Sequence, residues 1–152
     1  MKIYKKGLKI VMTDDDEDDR IFFKDAIESL ELDCVLEFYK NGMELIERLD
    51  DSDKELPDLV FLDLNMPLLS GIDTLQKIRM EDKLNRIPII AIYSTSSDYN
   101  DKKRSLEIGA NAYITKPSSF ESLKSLLEIV IMKDWENRET ILMENFVIKG
   151  SL

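Results

Sequence analysis

The chain contains no histidine. That excludes Ser-His-Asp catalysis, His-ligated zinc and any role for this chain as a phosphohistidine donor. Cysteine is limited to Cys34. No internal disulfide can form, and the reducing cytoplasm is the expected compartment. Cys34 heads an apolar run, which reads as a buried, unreactive thiol. Positive charge is also scarce. There are 21 Lys and Arg against 31 Asp and Glu, a formal net charge of −10. This balance argues against non-specific binding to a nucleic-acid backbone. No apolar run approaches the ~20 residues of a membrane span, and no signal-type apolar core follows the basic stretch 1–9. No nucleic-acid or membrane partner is expected.

What is present suits one compact domain. There are 152 residues, 43% of them hydrophobic, enough for a single core. Short apolar runs alternate with helically spaced ones. Leu8–Met12 reads as a strand, and Ile21, Phe22, Ala26, Ile27 and Leu30 as a helix face. Cys34–Tyr39 alternates like a strand near an edge, and Met43, Leu45, Ile46 and Leu49 follow at helical spacing. Leu59–Leu62 is a third strand, and Ile72, Leu75 and Ile78 mark a third helix. Pro88 opens the fourth strand, residues 98–108 are helical but mostly polar, and Gly109 fits a C-cap. Ala112–Ile114 is a short fifth strand, and the last helix is predicted from about Ser118 to Trp135. Five strand–helix units in order imply an α/β fold with a parallel sheet and right-handed crossovers.

Carboxylates, hydroxyls and a lysine collect where the predicted strands end, which is where open α/β sheets place their chemistry. Asp63 closes the run Leu59–Leu62 and is followed by Asn65-Met66-Pro67 and Gly71. The acidic run Asp14–Asp19 follows the first strand. Two like charges ~4 Å apart repel by about 1 kcal/mol in water, and by several times that at lower effective dielectric. A divalent cation would relieve this at Asp14 and Asp15. Asp18 and Asp19 read as a solvated loop favouring a helix N-terminus. Oxygen donors without His or Cys select magnesium or a similar hard ion. If the first and third strands are neighbours, Asp14, Asp15 and Asp63 converge. With a metal they would form a site for phosphoryl transfer. Ser94 and Thr95 follow the fourth strand and could bond phosphoryl oxygens, and Lys116 follows the fifth and could pair with one. Each motif alone also has an ordinary role as turn former, cap or loop residue. Their joint appearance in order is what carries weight.

In these residues the chain resembles the response-regulator receiver domains, of the stand-alone chemotaxis type. The matching pieces are Asp14-Asp15, Asp63-x-Asn65-Met66-Pro67 with Gly71, Ser94-Thr95 and Lys116-Pro117, within about residues 8–135. The resemblance implies a (βα)5 flavodoxin-like fold, doubly wound, with a five-stranded parallel sheet of order 2-1-3-4-5. It implies a receiver domain over 1–137 and a C-terminal tail, 138–152, that is no separate domain. Asp63 would be the phospho-acceptor. Asp14, Asp15, Asp63 and Asn65 would hold magnesium, Asn65 through its backbone carbonyl and Asp14 through water. Ser94, Thr95 and Lys116 would bind the phosphoryl group, and Tyr113 would be the switch aromatic. Phosphate would draw Ser94 inward, Tyr113 would fill the vacated space, and the face of the fourth helix, fifth strand and fifth helix would be remodelled. The function implied is a single-domain response regulator that takes phosphate from a sensor histidine kinase or phosphotransfer protein and acts by binding an unidentified target. Onward transfer in a phosphorelay is the variant. It would not be an enzyme beyond self-phosphorylation and autodephosphorylation.

Two registers stay open in the sequence: Asp15-Asp16 instead of Asp14-Asp15, and Thr95 instead of Ser94 as the moving hydroxyl. An aspartyl-nucleophile phosphatase would want a second Asp where Asn65 stands, and a flavin site would want a glycine- and hydroxyl-rich first loop. On the last helix Leu123, Leu126, Leu127, Val130 and Ile131 form one stripe. Ile129, Met132 and Trp135 lie off its centre, to be covered either by the tail or, on the switching face, by a second copy in a homodimer or another partner.

Overall fold

The computed structural model describes residues 6–133, 135 and 143–149. Five parallel strands, β1(Leu8–Thr13), β2(Cys34–Tyr39), β3(Leu59–Leu62), β4(Ile89–Ser94) and β5(Ala112–Thr115), form one sheet of order 2-1-3-4-5. Between and after them run α1(Glu17–Ser29), α2(Gly42–Asp50), α3(Gly71–Met80), α4(Tyr99–Ile108) and α5(Phe120–Met132). The central strands are continuous apolar runs because both sheet faces are covered. Ile10, Met12 and Phe61 join the layer that includes Phe23 of α1 and Leu127 of α5. Val11, Val60 and Leu62 join the opposite layer with Leu45 of α2 and Leu75 of α3. β2 lies at an edge, as its alternation predicts, and is only partly buried.

The helix ends follow from local chemistry. Asp16, Asn41, Ser70, Asp98 and Ser119 each accept a backbone N–H of the first turn that they cap. Gly109 ends α4 with φ 120°, a left-handed conformation suited to glycine. No described helix is long and apolar enough to cross a membrane.

Four features differ from the sequence expectations. The last helix is shorter than predicted, Phe120–Met132. Ser119 caps its start, and Lys133 leaves helical geometry at its end (ψ 139°). Ile131 is only half-buried at the margin of the α5 stripe. Cys34 is half-buried rather than buried, because an edge strand has one side open, although burial still raises its thiol pKa. A short 3-10 turn (Leu84–Arg86) precedes β4, with Leu84 wholly buried. The described part of the tail, including the helical turn α6(Met143–Phe146), packs at the outer edge of β5, with Ile148 N donating to Tyr113 O at 2.9 Å. Of the residues off the α5 stripe, Ile129 is exposed and Trp135 is half-buried, its indole N–H donating to Val130 O at 2.9 Å.

Candidate phosphoryl and metal site

The register sets the height of each functional residue. Thr13 pairs with Leu62, and Leu62 with Ile92. Asp14 and Asp63 therefore leave β1 and β3 at the same level. The last pair of β4 and β5 is Ser94 with Thr115, so Ser94 and Lys116 stand at the far rim of the same crevice. Lys116 N donates to Ser94 O at 2.8 Å, fixing that rim. Gly71 closes the loop after Asp63, donating to Leu64 O at 2.9 Å. A Cβ at Gly71 would overlap Asp63 O and lie 2.6 Å from Leu64 Cα, so only glycine lets α3 start this close to the site. Leu68, with φ 67°, holds the same loop in a conformation that costs a non-glycine residue strain.

Three of the sequence-predicted carboxylates meet. Asp14, Asp15 and Asp63 each bring an oxygen within 4.8 Å of the other two. Asp14 and Asp63 are buried and Asp15 is exposed, so the cluster opens to solvent on one side. Asp16 points elsewhere, capping α1 through Asp19 N at 3.1 Å. Geometry thus brings the Asp14-Asp15 pair into the cluster and leaves Asp16 at the helix. Asn65 opens the turn after β3, its backbone N–H 3.4 Å from Asp63 Oδ1.

Lys116 crosses the crevice. Its ammonium lies 2.6 Å from Asp14 Oδ2, 2.8 Å from Asp19 Oδ2 and 3.3 Å from Asp63 Oδ2. The contact to Asp14 is the shortest of the three and is a buried ion pair. Burial would lower the Lys116 pKa. The hydrogen bonds and charges of Asp14, Asp19 and Asp63 outweigh it and raise the value, so the ammonium stays charged. At Asp14 burial wins instead, lifting the carboxyl from 3.8 to about 6 against the pull of Lys116 and the Asp16 amide.

Asp19 lies in the first turn of α1, as the sequence reading has it, and also makes a contact that reading missed. It reaches Lys116 across 97 residues of chain. No local signal marked this contact, because an acidic residue in the first turn of a helix is ordinary.

Ser94 is wholly buried, its hydroxyl oxygen accepting Ser96 N at 3.3 Å, whereas Thr95 is exposed. Tyr113 is wholly buried and donates its hydroxyl to Ser96 O at 2.8 Å. Burial raises its pKa, and hydrogen bonding at Ser96 and Ser94 opposes the rise. Tyr113 and Ser94 thus both hydrogen-bond Ser96. No described peptide bond, Lys116–Pro117 included, is cis.

The donor set fits a hard divalent cation. Three carboxylates, two of them buried, converge without nitrogen or sulfur ligands.

The family model for the response regulator receiver domain matches residues 10–128. Chemotaxis protein CheY1 of Helicobacter pylori (strain J99) is 33% identical over 125 residues, which span 82% of this chain and 97% of that protein. The polar-differentiation response regulator DivK of Brucella anthropi is 30% identical over 122 residues, covering 78% of this chain and 94% of its own. The Mn(2+)-bound form of response regulator Rcp1 aligns with a TM-score of 0.75 at 22% identity, over 89% of this chain and 97% of that one. That last likeness is one of fold.

Proposed function

This chain belongs to the response regulator receiver family, and from that membership we propose that it is a phosphorylation switch with Asp63 as its phospho-acceptor. The observation that carries the reading is the meeting of Asp14, Asp15 and Asp63 within 4.8 Å, with the Lys116 ammonium 3.3 Å from Asp63. A phosphohistidine on a sensor histidine kinase or phosphotransfer protein is the donor. An Asp63 carboxylate oxygen attacks the phosphorus. The new O–P bond forms as the P–N bond breaks, and its electron pair returns to the imidazole nitrogen. Magnesium held by Asp14, Asp15, Asp63 and the Asn65 carbonyl would offset charge on the phosphoryl oxygens.

The remaining work falls to the chain's own groups. Lys116 keeps its charge and pairs with the phosphoryl group. The Ser94 hydroxyl bonds a phosphoryl oxygen, and the rim position of Thr95 leaves its backbone amide to assist. Movement of Ser94 is sensed by Tyr113 through Ser96, which bonds both, and α4, β5 and α5 present the result to a downstream protein. α4 suits that task, since Ser105 is its one buried residue and few apolar contacts hold it. The protein works by binding in the cytoplasm. Its only chemistry is its own phosphorylation and dephosphorylation, with no separate substrate turned over.

Incubation with acetyl phosphate and magnesium, followed by intact-mass measurement, tests this. One phosphoryl group is expected on the wild type and none on Asp63→Asn. Absence of uptake by the wild type, or equal uptake by both, refutes the assignment.

A further inference from the structure

The tail segment Met143–Lys149 lies outside the residues that the family model matches, yet it is built into the core. Phe146 is wholly buried, and its ring centroid lies 6.1 Å from that of Tyr113. Tyr113 and Val147 form a parallel bridge, and Ile148 N donates to Tyr113 O at 2.9 Å. Ile148 itself joins the layer of Leu123, Leu127 and Val130 on the other side of the sheet. The segment therefore grips Tyr113 by both backbone and ring. Beneath it the tyrosine is wholly buried, with its hydroxyl on Ser96 O and the Lys102 ammonium 6.0 Å from its ring.

Close packing makes this arrangement selective. A tyrosine ring rotated outward needs the space that Phe146 fills. Docked tail and outward Tyr113 exclude each other. We infer that Met143–Lys149 is a third element of the switch, docking when Tyr113 is inward and so favouring phosphorylation of Asp63. The inference rests on the roles of Asp63 and Tyr113 given above. Linkage makes the coupling reciprocal: whatever tail docking does for the phosphorylated state, phosphorylation does for tail docking. It also makes the output face composite, because in the phosphorylated state a partner meets the outer side of the tail at Glu144, Asn145 and Lys149, which are exposed. A passive cover for the β5 edge would serve only to hide unpaired backbone groups. It would add stability without responding to Asp63.

Beryllofluoride with magnesium, an analogue of the aspartyl phosphate, separates these cases in the full chain. Fluorine NMR reports its binding, and hydrogen exchange reports the Ile148 amide. Binding is expected to slow Ile148 exchange at least about fivefold, the low end of ordinary allosteric coupling, and Phe146→Ala to weaken beryllofluoride affinity by a similar factor. Ile148→Pro deletes the amide donor and trims a buried side chain of the same segment, leaves Phe146 in place, and should shift affinity the same way. Unchanged exchange in a sample whose fluorine signal shows bound ligand overturns the tail's role, as do equal affinities in wild type and both variants. If the wild type binds no beryllofluoride, the Asp63 reading falls and the coupling with it, and the fluorine signal tells the two failures apart.

Discussion

Replacing Asp14 by Asn should stabilise the metal-free fold while removing a metal ligand. Asp14 is wholly buried, and burial is the largest influence on it, lifting its pKa from 3.8 to about 6. Asn resembles the protonated carboxyl. It keeps an oxygen for the Asp16 amide, which Asp14 Oδ1 accepts at 3.0 Å. Lys116 keeps Asp19 at 2.8 Å and Asp63 at 3.3 Å. A folded pKa above the unfolded one means that stability from this group is fully present below pH 3.8 and is lost as pH rises through about 6. At pH 8 the ionised form therefore costs about 3 kcal/mol. For a chain of this size that is a gain of about 6–12 °C in Tm for Asp14→Asn. Urea unfolding in EDTA at pH 4, 6 and 8 checks both size and shape. The difference between variant and wild type should be near zero at pH 4 and full at pH 8. Magnesium at ten times its Kd should add about 1.4 kcal/mol to the wild type, and less to the variant because its affinity is weaker. A variant that is less stable than wild type at pH 8, or a difference that does not change with pH, would refute the electrostatic account of the site.

Two further outcomes follow from packing. Gly71→Ala should cost about 3 kcal/mol, the upper range of overpacking, because its Cβ meets backbone rather than a movable side chain; chemical denaturation measures it, and a cost under 1 kcal/mol would show that the loop yields. The last helix should not hold two copies together, since Ile129 is the only large apolar residue exposed on its described part, far short of the ~800 Å² per partner of a stable interface; a dimer by light scattering that dissociates on Ile129→Glu would contradict this.

Much of this was legible along the chain because it depends on short-range patterns. Apolar runs such as Leu59–Leu62 and Ile89–Ser94 mark buried parallel strands, and the residues that end them, Asp63 and Ser94, are placed by the strand itself. Helix caps are equally local. Gly71 could be noted from sequence, but its necessity appears only when α3 is seen against the backbone of Asp63 and Leu64. The pairing of Asp14 rather than Asp16 with Asp63 required the sheet register, which places Thr13 beside Leu62.

The order and type of the elements, the acidic strand ends and the absence of histidine were thus determined by the sequence alone, through periodicity and residue chemistry that operate over a few positions. Tertiary structure decided the contacts between distant segments. Lys116 binds Asp19 across 97 residues, and the tail settles on Tyr113 through one backbone bond and one buried ring. No local pattern encodes such meetings. They arise because the parallel sheet brings every strand's C-terminal end to one edge, and because a short apolar tail buries itself wherever an open strand edge and a matching cavity are within reach.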